Sequence, residues 1–327
     1  VKGAVALRLN VSELASLVKK GLDQTAAVMG AMGDPTGQGM DPGAILNAQG
    51  EVVDAFLGQL AILDVSIGVE DDGIALQTRS VAKADTAIAP MFEQAKPPRD
   101  AMWSLLPNDV IFAQVGHLAS FDEFIALYTD SVKKLYAVMG DVGESLSEVI
   151  PEMMESSRGI FAGDYAAALL TGTQESPFRT IYYFQVTDAA GARKKIDEMI
   201  KKSSAAMTEA YASMGMGAET FRLGSVSARK HDGHQIDRYA SKFDFAALAP
   251  EAANMGMLDA FSEFNYEIAY VDDLAVMTMG DANVMNQALA ALKKPGDSIL
   301  SSGMFATLFP EPDQKPARIT NVSLVNY

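Results

Sequence analysis

Residues 222–241, RLGSVSARKHDGHQIDRYAS, contain the pattern that decides the fold. An Asp-Gly pair at 232–233 separates two segments of strand-like composition, an arrangement typical of the tight turn of a β-hairpin. Three further hairpins are predicted at residues 63–80, 166–186 and 266–279. Because strands that pair as consecutive hairpins run antiparallel, the sequence predicts antiparallel sheets.

Long amphipathic segments lie between the predicted hairpins. One of them follows a predicted strand at residues 110–115 and carries a single apolar stripe, formed by Phe121, Phe124, Ile125, Tyr128, Val132, Leu135, Tyr136 and Met139. A stripe at this spacing is typical of a helix that packs on a core. The sequence therefore predicts an α+β fold, in which antiparallel sheets built from β-hairpins carry long amphipathic helices on one face.

The order of strand and helix recurs along the chain, together with a short sequence match. Ala-Val-Met-Gly ends the first long amphipathic segment at residues 27–30 and the second at residues 137–140. Such recurrence indicates an internal repeat, although a chain with 18 methionines also allows a chance match. We predict a first repeat at residues 1–98 and a second, expanded repeat at 99–310. Residues 311–327 then begin a further repeat or form a C-terminal strand.

Composition restricts the classes of function. The chain has 42 acidic and 26 basic residues and a net charge of −16, which argues against a nucleic acid partner because phosphates would be repelled. No apolar run is long enough to predict a transmembrane span. Cysteine is absent, which excludes disulfides and thiolate chemistry and favours export, without excluding the cytosol. Because the first residue is not Met, we also expect a removed signal peptide.

Few residues form a known catalytic pattern. His231, Asp232 and His234 lie at the 232–233 turn and are candidates for a metal site, although two solvated turn histidines are the simpler interpretation because no further ligand is suggested nearby. His117 follows Gly116 in a predicted loop, where a solvated histidine is the simpler interpretation. We therefore predict no catalytic residues and no cofactor. All three histidines are expected to be exposed and away from any deep polar pocket.

The last third of the chain combines a hairpin at 266–277, a helix of small residues at 283–292 and the segment 298–305, and Leu106-Pro107-Asn108 precedes an earlier strand. In these features the chain resembles a family of large exported bacterial proteins of unknown function. The resemblance implies a periplasmic or surface location, and it supplies no functional residues.

These observations favour an exported, non-enzymatic envelope or surface protein that acts as a binding or structural module. Its expected partner is a protein or a component of the cell envelope. Two alternatives stay open. One is a carrier of a lipid or other apolar ligand between sheet and helices, which methionines on the helix stripes would suit. The other is a hydrolase or a metal enzyme.

Overall fold

The computed structural model describes residues 3–32, 42–70, 73–90, 99–118, 122–137, 147, 151–152, 154–173, 176, 178–213, 220–244, 263–294, 298–301 and 321–325. The strands are β1 Gly3–Asn10, β2 Leu60–Glu70, β3 Gly73–Ala82, β4 Val110–Leu118, β5 Phe161–Leu170, β6 Arg179–Val186, β7 Phe221–His231, β8 His234–Phe243, β9 Glu263–Val271, β10 Leu274–Met279 and β11 Asn321–Val325. The helices are α1 Val11–Met32, α2 Pro42–Leu57, α3 Asp100–Ser104, α4 Asp122–Ala137, α5 Ala189–Ser213 and α6 Ala282–Lys293, and a 3-10 turn covers Ile299–Ser301.

All of these strands belong to one sheet, in the order β1-β2-β3-β11-β4-β5-β6-β10-β9-β8-β7. Every neighbouring pair is antiparallel, so the predicted α+β class with antiparallel strands is confirmed. The four predicted hairpins are the pairs β2–β3, β5–β6, β7–β8 and β9–β10. Strands β1 and β7 form the two edges of the sheet.

The turn between β7 and β8 has the geometry that its sequence predicts. Asp232 and Gly233 both have positive φ, 53° and 87°, the combination found in a type I′ turn. Glycine reaches this region without steric cost, and aspartate tolerates it better than most residues do. His231 consequently pairs directly with His234, and the register of the hairpin follows from there.

Helices cover both faces of the sheet around β6 and β10. On one face α6 and α3 pack over a core that contains Val276 and Tyr183. On the other face α5 packs over a second core that contains Ala275 and Val186. Because successive side chains of a strand point to opposite faces, the neighbours Ala275 and Val276 place these two cores on opposite sides of β10. The sequence predicted helices on one face of the sheet only, so the packing of α6 and α3 on the face opposite α5 was not predicted.

Tyr183 links the sheet to the α6–α3 layer. Among the described residues it is the largest fully buried side chain. Its hydroxyl lies 3.1 Å from the carbonyl oxygen of Ala288 in α6 and 3.3 Å from that of Leu105 after α3. Burial raises the pKa of this phenol, so it stays neutral and donates. The sheet and both helical segments are therefore joined at one buried atom.

The first two predicted repeat segments share part of their topology. In each, a strand precedes helical residues and pairs antiparallel with the strand that follows them, as β1 does with β2 and β4 with β5. Gly30 lies in α1, whereas Gly140 lies outside the described residues. Strand β11 lies between β3 and β4, within the same sheet. The internal repeat and the domain boundaries stay predictions.

The apolar stripe of α4 is buried where its side chains are described. Ile125 is fully buried and Val132 nearly so, while Leu135 and Tyr136 are half-buried. The side chains of the other predicted members, Phe121, Phe124, Tyr128 and Met139, lie outside the described residues. Among the described helices none is long and apolar enough to cross a membrane.

Candidate functional site

A β-bulge divides the edge strand β7 into two parts. Val226 pairs with Arg238 and Arg229 pairs with Ile236, so two residues of β7 oppose the single residue Asp237 of β8. The extra residue reverses the alternation of side chains beyond the bulge. Arg229 consequently points to the α6 face. In a strand without the bulge it would point to the α5 face instead.

Arg229 forms a partly buried ion-pair network on the α6 face. Its Nε and Nη2 donate to the two carboxylate oxygens of Glu267 in β9, at 2.8 and 2.6 Å. It also donates to the side chain of Asn286 and to the carbonyl oxygen of Ala282, both in α6. Glu267 is only 5% exposed, and Arg238 lies 3.3 Å from its Oε1. This network connects the edge strand to β9 and α6.

On the opposite face, β7 and β8 form an open groove with α5. The groove has a volume of about 320 Å³, and it is lined by Ala190, Arg193, Lys194, Asp197, Ser225, Ala228, Asp237 and Tyr239. Helix α5 packs against β7 and β9, which places its first two turns beside the strand edge. The groove therefore borders the edge of the sheet over the length of the bulge.

The groove contains both signs of charge. Arg193 donates a hydrogen bond to the Asp237 carboxylate, and this bond raises the pKa of the guanidinium. Burial, together with the negative charges of Asp197 and Asp237, raises the pKa of Tyr239 to about 12. Tyr239 is therefore a neutral phenol at physiological pH. A site of this kind can bind polar groups through hydrogen bonds and ion pairs.

The outer side of β7 is open to solvent. The four residues from Ser225 to Ala228 are all exposed, and Val226 keeps 41% of its surface accessible. Ser227 and Ala228 lie in the bulge and have no paired residue in β8. A strand at the edge of a sheet carries backbone N–H and C=O groups that another strand can pair with. Here such an edge lies directly beside a polar groove.

The structure places His117 in a strand and not in a loop, so the prediction of an exposed loop histidine is wrong. Strand β4 continues through Gly116 to Leu118, and His117 pairs directly with Asp164 of β5. A Cβ on Gly116 would lie 2.5 Å from the ring of Tyr165, so glycine is required for this close approach. The side chain of His117 is 18% exposed, and its Nδ1 lies 2.7 Å from Asp164 Oδ1.

Asp164 holds the start of α3 as well as His117. Its carboxylate accepts hydrogen bonds from the backbone N–H and the Nε of Arg99. Burial alone would raise the pKa of Asp164, but the hydrogen bonds from His117 and Arg99 outweigh it and hold the pKa below its ordinary value. Within the described part of the chain, no serine or threonine hydroxyl bonds to His117. The cluster joins the residue before α3 to β4 and β5 of the sheet.

The turn residues suggested as metal ligands are not assembled into a site. Lys293 at the end of α6 forms an ion pair with the carboxylate of Asp232, with 3.1 Å between Nζ and Oδ2. His231 Nε2 lies 3.9 Å from that carboxylate, and both His231 and His234 are half-buried. Among the described residues, no three or more His, Asp or Glu side chains lie together in a group that could hold a metal ion.

Sequence reasoning missed the groove because its members are far apart in the chain. Arg193 and Asp237 are separated by 44 residues, and their contact depends on how α5 packs across the hairpin. One signal was nevertheless present. Helix α5 and strand β7 are rich in Lys and Arg, in a chain that is strongly acidic overall.

Comparisons with protein-family models, with curated proteins and with solved structures find no match to this chain. The resemblance to exported proteins of unknown function therefore stays a prediction.

Proposed function

We propose that this protein is a non-enzymatic binding module that accepts an extended segment of a partner protein as an additional strand along β7. The observation that carries the proposal is the position of the open groove beside an exposed sheet edge. In recognition by strand addition, main-chain hydrogen bonds supply affinity and neighbouring pockets for alternate side chains supply specificity. Both elements are present at β7.

The geometry suits a segment of ordinary strand length. Residues 225–230 of β7 extend over about 20 Å, which is the length of a typical strand. Every second side chain of an added strand would point to the α5 face and lie beside Ser225, Ala228 and the groove. The remaining side chains would lie beside Val226 on the α6 face.

The lining of the groove favours this reading over the carrier of an apolar ligand. Charged residues of α5 and β8 line the groove, and an apolar ligand would bury their charges without offering hydrogen bonds in return. Between α5 and the sheet, the space is occupied by packed side chains such as Ile160, Val186 and Ile196. We also propose an exported location, which the cysteine-free composition supports.

The proposal can be tested with one matched pair of substitutions at the bulge. Ser227→Pro removes a backbone N–H from the bulge, a kind of position at which edge strands tolerate proline and at which β8 pairs with neither residue. Ser227→Ala keeps that N–H and removes only the hydroxyl. Peptides selected from a random display library against the unmodified protein should bind Ser227→Ala with unchanged affinity and Ser227→Pro at least about tenfold more weakly.

Hydrogen exchange then locates the bound peptide. Bound peptide should slow exchange of the amides of residues 225–228, while the amides of β4 and β5 in the middle of the sheet keep their rates. Circular dichroism and thermal unfolding of both variants establish that they fold. Equal binding by the two variants, with no slowing of exchange in β7, would contradict the proposal.

A further inference from the structure

We infer that the segment accepted along β7 is acidic, with Asp or Glu at alternating positions. This inference rests on the proposed function and specifies the chemistry of the partner.

The first argument is the local charge. Helix α5 and strand β7 together contain eight Lys or Arg and three Asp or Glu, whereas the whole chain has a net charge of −16. Strand β7 alone carries Arg222, Arg229 and Lys230 and no acidic residue. The edge and the helix beside it therefore form a basic region on an acidic protein, and such a region attracts acidic partners.

The second argument is which charges of the groove are already compensated. Both of its carboxylates are paired with bases, Asp237 with Arg193 and Asp197 with Lys201 at 2.6 Å. Lys194, in contrast, is 79% exposed, and its only ion pair with a described residue is a long contact of 3.9 Å with Glu198. A basic segment would thus meet carboxylates that already have partners, whereas an acidic segment would meet an accessible ammonium group.

Lys230 provides a second contact point on the same face. It follows Ala228 by two residues, so its side chain points to the α5 side like the groove residues. Lys230 is exposed, and within the described part of the chain it forms no ion pair. Carboxylates on alternate residues of an added strand would therefore lie within reach of Lys194 and Lys230 together.

A second copy of this chain is a poor occupant of the edge. If two β7 strands paired, the basic residues Arg222 and Lys230 of each copy would bring like charges to the shared edge, and β7 carries no acidic residue to compensate them. Two chains of charge −16 also repel one another at long range. The bulge and the basic residues thus act against self-pairing, a common protection of edge strands.

The test uses three synthetic peptides of about nine residues, a common strand length, in which Thr and Val alternate with Glu, Gln or Lys. Fluorescence anisotropy with the full chain should show the Glu peptide binding at least about tenfold more tightly than the Gln peptide, and the Lys peptide binding most weakly. Raising the salt concentration should weaken the Glu peptide and leave the Gln peptide unchanged.

Two double variants identify the charges that are responsible. Lys194→Gln with Lys230→Gln should weaken the Glu peptide roughly tenfold, since each exposed charge contact is worth a few-fold in affinity, and should not affect the Gln peptide. The control, Lys133→Gln with Lys134→Gln, changes the net charge equally at two exposed positions of α4 and should have little effect.

The outcomes separate this inference from the proposed function. If the Glu and Gln peptides bind equally and Ser227→Pro weakens both, β7 accepts a strand but the acidic preference is overturned. If no peptide binds, or if binding ignores Ser227→Pro, the proposed function itself fails. If analytical ultracentrifugation shows a dimer that Ser227→Pro dissociates, the occupant is a second copy and the inference is overturned.

Discussion

Replacement of Arg229 by Met is expected to destabilise the protein by about 3 kcal/mol. Removal of one partner from a buried ion pair typically costs about 3–5 kcal/mol, because an uncompensated charge stays buried. Glu267 is 5% exposed and would lose two hydrogen bonds from Arg229. Arg238, 3.3 Å from Glu267 Oε1, would still compensate part of its charge, so the lower end of that range applies.

The assay is urea unfolding followed by the fluorescence of Trp103. This residue is the single tryptophan of the chain and is 3% exposed, so its emission should change strongly when the core opens. The double variant Arg229→Met with Glu267→Leu removes both charges, and such apolar replacements of a buried pair are often neutral. We therefore expect the double variant to be more stable than Arg229→Met alone.

The control is Arg158→Met. Its partner Glu155 is 49% exposed, and an exposed pair contributes at most about 1 kcal/mol. A loss below about 1 kcal/mol for Arg229→Met, or a double variant no more stable than the single one, would refute the reasoning. The first result would mean that Arg238 and solvent compensate the charge of Glu267 after Arg229 is removed.

Three further changes test other parts of the fold. Asp164→Asn should cost about 2 kcal/mol at pH 7, because charged hydrogen bonds are lost. Because the pKa of Asp164 is lowered in the folded protein, this contribution is complete above about pH 5 and disappears as the pH falls through the folded pKa. Urea titrations from neutral to acidic pH should therefore show the stabilities of the variant and the unmodified protein converging. Gly116→Ala should cost about 1–3 kcal/mol in thermal unfolding by contact with Tyr165, whereas Gly224→Ala, with nothing within 4 Å, should be nearly neutral. Tyr183→Phe should lower the free energy of unfolding in urea by about 1 kcal/mol, and an unchanged value would show that the hydroxyl contributes nothing.

Local sequence signals predicted the hairpins, but they did not predict which strands pair when those strands are far apart in the chain. The Asp-Gly turn at 232–233 determines the register of β7 against β8, because both residues must adopt positive φ. Nothing local indicates that β6 pairs with β10, or that α6 and α5 lie on opposite sides of it. Those arrangements depend on which apolar faces meet, and many pairings bury similar area.

The candidate site illustrates the same limit. Gly116 suggested the end of a strand, yet β4 continues through it, and the ring of Tyr165 fills the space that a side chain would occupy. The sequence also gives no indication of the β7 bulge, because Ser227 and Ala228 are compatible with a regular strand. Only the three-dimensional pairing shows that Arg229 turns away from the groove to reach Glu267.

The position of β11 in the sheet has a consequence for synthesis on the ribosome. Ser323 of β11 pairs with Leu76 of β3, about 250 residues earlier in the chain. At about 5–20 residues per second, β3 and β4 emerge on the order of ten to fifty seconds before the strand that joins them. During that interval both expose unpaired edges, which other nascent chains can join. A chaperone that shields these two strands until translation reaches residue 325 would therefore raise the yield of folded protein.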